Sequence, residues 1–131
     1  MTEVIEKLGA WFKVKLKLKQ MQKCHRISEG EIWWCAIGEN VGVEINGKNK
    51  SFTRPVVILK KLSHLCFLGV PLTSQQHIGT WYAPFSFKNR QQYAAIAQIR
   101  VLSVHRLCRK MGEISKADFN LIKNSLLRLY F

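Results

Sequence analysis

Closely spaced cysteines are absent from this sequence. The 131 residues include four cysteines, and no two of them form a CxxC pair: Cys24, Cys35, Cys66 and Cys108. Zinc sites are usually built from such short-spaced pairs, so we expect neither a metal site nor another cofactor. The simplest interpretation is a set of small thiols in a reducing compartment, two of them inside apolar strands.

Long apolar runs are absent as well. No stretch approaches the roughly 20 residues that a helix needs to cross a bilayer. The first residues include Glu3 and Glu6 and lack the basic start and the apolar run of a signal peptide. The sequence therefore predicts a cytoplasmic protein.

Acidic residues are scarce. Eight Asp and Glu face 21 Lys and Arg, which gives a net charge of +13. Such an excess indicates a polyanionic partner, which could be a nucleic acid, an anionic membrane surface or an acidic protein. Charge alone does not choose among them.

The first 28 residues differ from the rest and are predicted to form a basic helical extension, separate from a domain at 29–131. Thr2 can cap a helix, and one helical face is apolar, with Leu8, Trp11, Val14, Leu18 and Met21. Residues 13–19 also alternate Lys with apolar residues, which suits a strand, but the cap and the longer window favour a helix. Such a helix can track RNA, lie on a membrane, bind a partner, or simply pack on the core.

From residue 29 the pattern is typical of β-structure. Apolar or alternating runs predict strands at 31–37, 55–59, 65–72, 80–87 and 93–102. Residues 38–53 are rich in Gly, Asn and Lys and predict a long loop, and 103–110 predict one helical turn. Ser115 opens a C-terminal helix with Phe119, Ile122, Leu126 and Leu129 on one face. Together they predict a mainly β (α+β) fold, a small twisted barrel with a C-terminal helix.

Three side chains in this region suit chemistry on a phosphate. Arg54 immediately precedes the Pro-led strand, Thr73 follows the next apolar strand, and Glu44 lies in the long loop. RNA cleavage without a metal uses the neighbouring 2′-hydroxyl as nucleophile. It requires a charge for the phosphoryl oxygens, which a guanidinium supplies, and groups that position oxygens and move protons. Each residue alone would also be explained as an ordinary polar side chain at a strand end or in a loop.

These segments resemble the MazF/PemK family of toxins. The string Arg54-Pro55-Val56-Val57 carries most of the likeness. Before it come Glu31-Ile32-Trp33 and the loop with Gly42 and Glu44. After it come Leu72-Thr73-Ser74, Gln98-Ile99-Arg100-Val101-Leu102, Arg106-Leu107, Gly112 and Ile114-Ser115. The likeness spans about residues 29–130. It implies an SH3-like barrel that forms a homodimer, a fold shared with the gyrase poison CcdB.

The resemblance also implies a function. Members cut single-stranded mRNA at short sequences without metal, leave a 2′,3′-cyclic phosphate, and are blocked by a cognate antitoxin. By this likeness Arg54 and Thr73 are catalytic, and Glu44 is a looser match. The predicted RNA contacts are Lys48, Lys50, Ser51, Thr53, Ser74 and His77. No membrane partner is predicted. The alternatives are a basic RNA-binding barrel without catalysis and a gyrase poison of the CcdB kind.

Three segments depart from the family pattern. Residues 1–26 have no counterpart in its core, 38–53 are longer than usual, and 74–93 contain no recognisable motif. The resemblance therefore implies no particular cut-site sequence.

Overall fold

Seven strands and two α-helices make up the structure, a computed structural model that describes all 131 residues. In chain order they are α1 Thr2–Gln20, β1 Glu31–Ala36, β2 Thr53–Lys61, β3 Cys66–Thr73, β4 Tyr82–Phe87, β5 Arg90–Ala95, β6 Arg100–Ser103, β7 Leu107–Glu113 and α2 Lys116–Tyr130. Two 3₁₀ turns, Ile96–Gln98 and Val104–Arg106, flank β6.

All strand pairings are antiparallel. The strands follow the order β4-β5-β3-β2-β1-β7, and β6 pairs with the first half of β3. β3 is therefore shared: its start pairs with β6 and its end pairs with β5. The prediction of a mainly β fold with a helix at each end is confirmed. The path of hydrogen-bonded strands does not join β4 to β7, so the sheet is not closed.

Apolar clusters lie on both faces of the sheet. One includes Ile32, Val57 and Val70 and receives α2, whose Ile122 is fully buried. The other is built around Trp33, Val56, Phe67 and further side chains: Ile27, Cys35, Ile37, Ile58, Leu102, Val104 and Leu107. The predicted apolar face of α2 is confirmed, because Phe119, Leu126 and Leu129 pack beside Ile122. Ser115 caps this helix by accepting from the Asp118 N–H at 3.1 Å.

Two predictions in the last third of the chain are wrong. The single strand at 93–102 is broken by the turn Ile96–Gln98, where the chain passes from β5 to β6. The helical turn at 103–110 is limited to Val104–Arg106 and is followed by β7. Pairing of β7 with β1 imposes the extended backbone on a stretch that lacks an apolar pattern of its own.

The helix α1 is attached to the sheet mainly through Trp11. Its ring packs against Phe52 and Ala36, and Val14 and Leu18 pack beside it. Leu8 and Met21, predicted on the same face, are exposed. A second apolar stripe also faces outward, formed by Val4, Ile5, Leu8, Phe12 and Leu16. No helix of the structure combines the length and apolar character needed to cross a bilayer.

Candidate functional site

The pairing of β2 with β3 brings Arg54 and Thr73 together. Val56 pairs with Pro71 at the end of the hydrogen-bonded ladder. Continuing this register by two residues along each strand places Arg54 opposite Thr73. Because residues two apart in a strand point to the same side, Arg54 lies on the side of Val56 and Thr73 on the side of Pro71. Both side chains line one cleft. They are 19 positions apart in the sequence, and the antiparallel register makes them neighbours.

The Arg54 guanidinium is fixed but has no acidic partner. The Nε–H donates to the backbone oxygen of Asn46, and no carboxylate lies within ion-pair distance. Burial lowers the pKa of Arg54, and the nearby Tyr82 acts in the opposite direction. A guanidinium nevertheless stays charged at neutral pH. Its outer N–H groups are therefore available to an anion in the cleft.

Thr73 presents a hydroxyl whose proton is free. The residue is buried, and its Oγ1 accepts a hydrogen bond from the Gln75 N–H at 3.2 Å. No protein acceptor takes the hydroxyl proton. A hydroxyl can accept and donate at once, so Thr73 can donate to an oxygen of a ligand while Gln75 holds it in place.

The end of the long loop forms one wall of the cleft. Lys48 and Thr53 exchange backbone hydrogen bonds at 2.8 and 3.0 Å, which pins the loop into a tight turn. Within it, Asn49 has a positive φ of 64° and its amide donates to Thr53 Oγ1 at 3.1 Å. The Asn49 side chain also accepts from the Ser51 N–H at 2.9 Å. These bonds fix the polar groups of the wall before any ligand arrives.

The cleft is strongly basic. It has a volume of about 440 Å³ and carries four cations, Lys48, Arg54, Lys88 and Arg90. The remaining lining residues are neutral: Trp34, Asn49, Thr53, Pro55, Leu72, Thr73, Ser74, Phe87, Gln92 and Met111. No carboxylate lines it, although the chain has eight. Such a surface attracts a polyanion.

A second cleft of about 630 Å³ continues from the first. Trp34, Asn49 and Thr53 line both. Its other residues are Lys50, Ser51, Cys108 and Arg109, which again include no carboxylate. The two clefts together form a continuous basic groove with an aromatic ring, Trp34, at the junction. This combination is typical of surfaces that bind single-stranded nucleic acid.

Most of the predicted site residues lie in this groove. Arg54, Thr73, Lys48, Thr53 and Ser74 line the first cleft. Lys50 and Ser51 line the second.

Glu44 and His77 line neither cleft. The Glu44 carboxylate accepts from the Val41 N–H at 2.9 Å in an exposed part of the loop, in a separate pocket beside Gln98. His77 stacks on Tyr82 with ring centroids 4.1 Å apart. Their roles in catalysis and RNA binding stay predictions, and both would require movement toward the groove.

Sequence reasoning missed the hairpin that carries Lys88 and Arg90. β4 and β5 are joined by Lys88 and Asn89, both with positive φ, as the favoured two-residue hairpin turns require. The available signal was the pair Lys88-Asn89, two polar residues that directly follow an alternating aromatic run. Lys88 Nζ also donates to the Met111 backbone oxygen at 2.5 Å, which links the hairpin to β7.

Metal ligands are not assembled in the structure. No three His, Cys, Asp or Glu side chains come together in an arrangement that could hold an ion. The polar side chains that line the groove are cations, hydroxyls and amides, together with the thiol of Cys108.

Comparison with known proteins identifies the fold. A protein family described as PemK-like, MazF-like toxin of type II toxin–antitoxin systems matches residues 28–130. No curated protein sequence matches the chain significantly.

Solved structures agree with this match. MazF from Deinococcus radiodurans is 15% identical, with a TM-score of 0.67 over 80% of this chain and 96% of that one. An endoribonuclease in complex with its cognate antitoxin, from a Mycobacterial species, is 17% identical, with a TM-score of 0.61 over 78% of this chain and 92% of that one. A MazE–MazF structure from Deinococcus radiodurans is 12% identical, with a TM-score of 0.62 over 80% and 95% of the two chains.

At these identities the solved structures show the fold alone, whereas the family match covers most of the chain. The chain therefore belongs to the PemK-like, MazF-like toxins of type II toxin–antitoxin systems.

Proposed function

We propose that this protein is a metal-independent endoribonuclease that cuts single-stranded mRNA at short sequences. The 2′-hydroxyl next to the scissile phosphate loses its proton and attacks the phosphorus, and the bond from phosphorus to the 5′-oxygen breaks. The products carry a 2′,3′-cyclic phosphate and a protonated 5′-hydroxyl. The observation that carries the proposal is the meeting of Arg54 and Thr73 in a basic cleft free of carboxylates. Membership of the toxin family supports it.

In this proposal Arg54 stabilises the charge that develops on the phosphoryl oxygens. Its guanidinium can donate two parallel hydrogen bonds to one phosphate, and it has no acidic partner to give up first. The contact with Asn46 holds it in place, so little reorganisation is needed at the moment of reaction. Removing one such preorganised donor typically costs about 10²–10³ in rate.

Thr73 positions the same phosphate through its free hydroxyl proton. The groove itself offers no carboxylate or imidazole as a base. We therefore assign it mainly electrostatic catalysis, with the scissile phosphate held so that the 2′-oxygen is in line for attack. Glu44 becomes the base only if its loop moves on RNA binding.

The groove explains the choice of substrate and partners in this proposal. Lys48, Lys50, Lys88 and Arg109 contact RNA phosphates, and Trp34 stacks on a base. A cognate antitoxin blocks the groove, and two copies form the active homodimer. Two of the similar structures contain an antitoxin, which supports this assignment of partner.

A non-catalytic RNA-binding role is the second candidate, because no base lines the groove. Wild type, Arg54→Ala, Arg54→Lys and Arg128→Ala should be incubated with a long unstructured RNA in EDTA, and the 5′-hydroxyl ends of the products mapped. Arg128 is an exposed arginine on α2, so its variant controls for loss of charge. An RNA with a single 2′-deoxy nucleotide at the cut position tests the nucleophile.

We expect cleavage at a recurring short sequence by wild type and Arg128→Ala. Arg54→Ala should be about 10²–10³ slower, Arg54→Lys should recover little, and the deoxy position should resist cleavage. Tight RNA binding without cleavage would establish the binding role instead. Neither binding nor cleavage would direct attention to a protein target such as gyrase.

A further inference from the structure

A third cleft lies where α1 meets the turn Val104–Arg106. It has a volume of about 260 Å³ and is lined by Lys15 and Lys19 from α1, by His105 and Arg106 from the turn, and by Leu18 and Ser103. Lys15 and Lys19 are four residues apart and so share a helix face. None of its lining residues is acidic. Half of this cleft belongs to the segment that precedes the family match.

The cations of this cleft are not neutralised by the protein. The three ion pairs of the structure involve only Lys60 and Lys110 among the basic residues. Burial lowers the pKa of Arg106, and the neighbouring positive charge of Arg100 lowers it further. Crowded cations without counter-charges are stabilised by an anion placed among them.

The cleft is held in shape from several sides. Arg106 Nη1 donates to the Ala36 backbone oxygen at 3.0 Å, and its guanidinium lies 5.8 Å from the centre of the Trp11 ring. His105 Nε2 lies 3.1 Å from the Cys24 sulfur, which ties down the chain that follows α1. The free donors of Arg106 are thus presented in a fixed direction.

This cleft is close to the groove that holds Arg54. Ala36, whose oxygen Arg106 holds, pairs in the sheet with Thr53. Thr53 lines both parts of the groove. The third cleft therefore lies toward the end of β1 and the start of β2, the side from which a polynucleotide leaving the groove there can reach it.

We propose that Lys15, Lys19 and Arg106 bind a backbone phosphate of the RNA outside the cutting groove. The helix α1 thereby extends the RNA-binding surface and favours long over short substrates. The identity of the ligand as RNA rests on the proposed function, whereas the preference of the cleft for a phosphate rests on its own charges.

The test compares two double variants of the same helix. Lys15→Ala/Lys19→Ala removes the two lysines of the cleft. Lys13→Ala/Lys17→Ala removes the same charge at the same spacing from residues that do not line it. Arg106 is left intact, because it also supports Ala36 and Trp11. Binding to uncleavable 2′-O-methyl RNAs of about 6 and about 30 nucleotides is measured over a range of salt concentrations.

The cleft variant should weaken binding of the long RNA by about tenfold and reduce the salt slope by about 0.7, the value for one lost phosphate contact to a single strand. It should leave the short RNA unaffected, and the control pair should change long-RNA binding much less. Equal losses in both variants, or none in either, would overturn the proposal.

The cleavage assay and the binding of the two variants together separate this proposal from the enzymatic one. If wild type cuts no RNA but the two variants still differ in binding, the nuclease function fails and the cleft stands. If RNA is cut and the two variants bind RNA equally well, the nuclease function stands and the proposal about the third cleft fails. Inorganic phosphate is the third probe: if it shifts the NMR signal of the Arg106 Nε–H as much as RNA at equal phosphate concentration, the cleft takes a small anion and the RNA assignment is wrong.

Discussion

The docking of α1 depends on the contact between the Trp11 ring and Gly38, and a substitution at either residue should disrupt it. Trp11 is only 8% exposed, and its ring lies over Gly38. A Cβ at Gly38 would sit 2.5 Å from two ring carbons, and the backbone there has a φ of +95°. Trp11→Ala removes the ring, whereas Gly38→Ala pushes the ring away.

The size of the effect follows from the buried ring. A tryptophan buries about 150–250 Å², which at about 25 cal/mol per Å² corresponds to about 4–6 kcal/mol. Loss of the cation–π contact between the Trp11 ring and the Arg106 guanidinium costs about 0.5–1 kcal/mol more. The conformational entropy that the undocked helix regains offsets part of the total. We expect Trp11→Ala to weaken docking of α1 by about 3–5 kcal/mol, as for other buried aromatics.

Gly38→Ala should cost a similar amount, because the ring must leave and a non-glycine residue takes a positive φ. In the double variant the ring is already absent, so the alanine at position 38 clashes with nothing there. That alanine then adds only the backbone strain of about 1–3 kcal/mol to the loss caused by Trp11→Ala. The double variant should therefore lose less than the sum of the two single ones, by about 2–3 kcal/mol.

Trypsin reports directly on this docking. The lysines of α1 are cleaved when the helix opens, so a loss of about 3–5 kcal/mol raises the cleavage rate about 10²- to 10⁴-fold under conditions of rapid reclosing. Phe12→Ala is the matched control, because Phe12 is an aromatic residue of the same helix that is 65% exposed. If Trp11→Ala were cleaved no faster than Phe12→Ala, or if the two single effects simply added, the docking account would be refuted.

Three further predictions concern the sheet and its loop. Burial raises the pKa of the Glu31 carboxyl, but hydrogen bonds and Lys110 outweigh it, so the pKa lies below its usual value. The stabilisation of the folded state by the Glu31 carboxylate is then present above about pH 4.3 and lost as pH falls through the lowered pKa. Urea unfolding should show Glu31→Gln about 1–2 kcal/mol less stable at pH 7, with the difference shrinking in acid. Burial raises the pKa of Cys35 to about 12, so a thiol reagent should label exposed Cys108 and spare Cys35 until the protein unfolds. Gly47→Ala would place a Cβ onto the backbone of the facing loop segment, and should lower the free energy of unfolding by about 1–3 kcal/mol and slow the proposed RNA cleavage.

The sequence carries local signals for most of the fold. Apolar runs marked β1, β2 and β3, and Ser115 with the apolar face around Ile122 marked α2. The strand β7 has no such signal, since its apolar residues form no run and four of its seven residues are exposed. Its extended state comes from pairing with β1 and from the contact of Lys110 with Glu31 at 3.0 Å. A pairing partner some 75 positions away is not readable from a local pattern.

The site divides in the same way. The roles of Arg54 and Thr73 as candidate site residues could be predicted from the sequence. Arg54 lies at the start of one recognisable strand and Thr73 at the end of the next, and their segments resemble a known family. Lys88 and Arg90 could not, because their place in the cleft depends on the pairing of β5 with the end of β3. The position of Glu44 away from the groove depends on the path of a long loop, which composition does not determine.

The residues that line the first cleft also determine at what stage of translation that cleft becomes complete. Arg54 and Thr73 leave the ribosome early, but Met111, which closes the cleft beside the Lys88 hairpin, belongs to the second-last element of the chain. A nascent chain that stops before β7 holds both predicted catalytic residues and lacks part of the wall around them. The first cleft is therefore complete only after β7 has been translated, and in the function proposed above no RNA can be cut before that point.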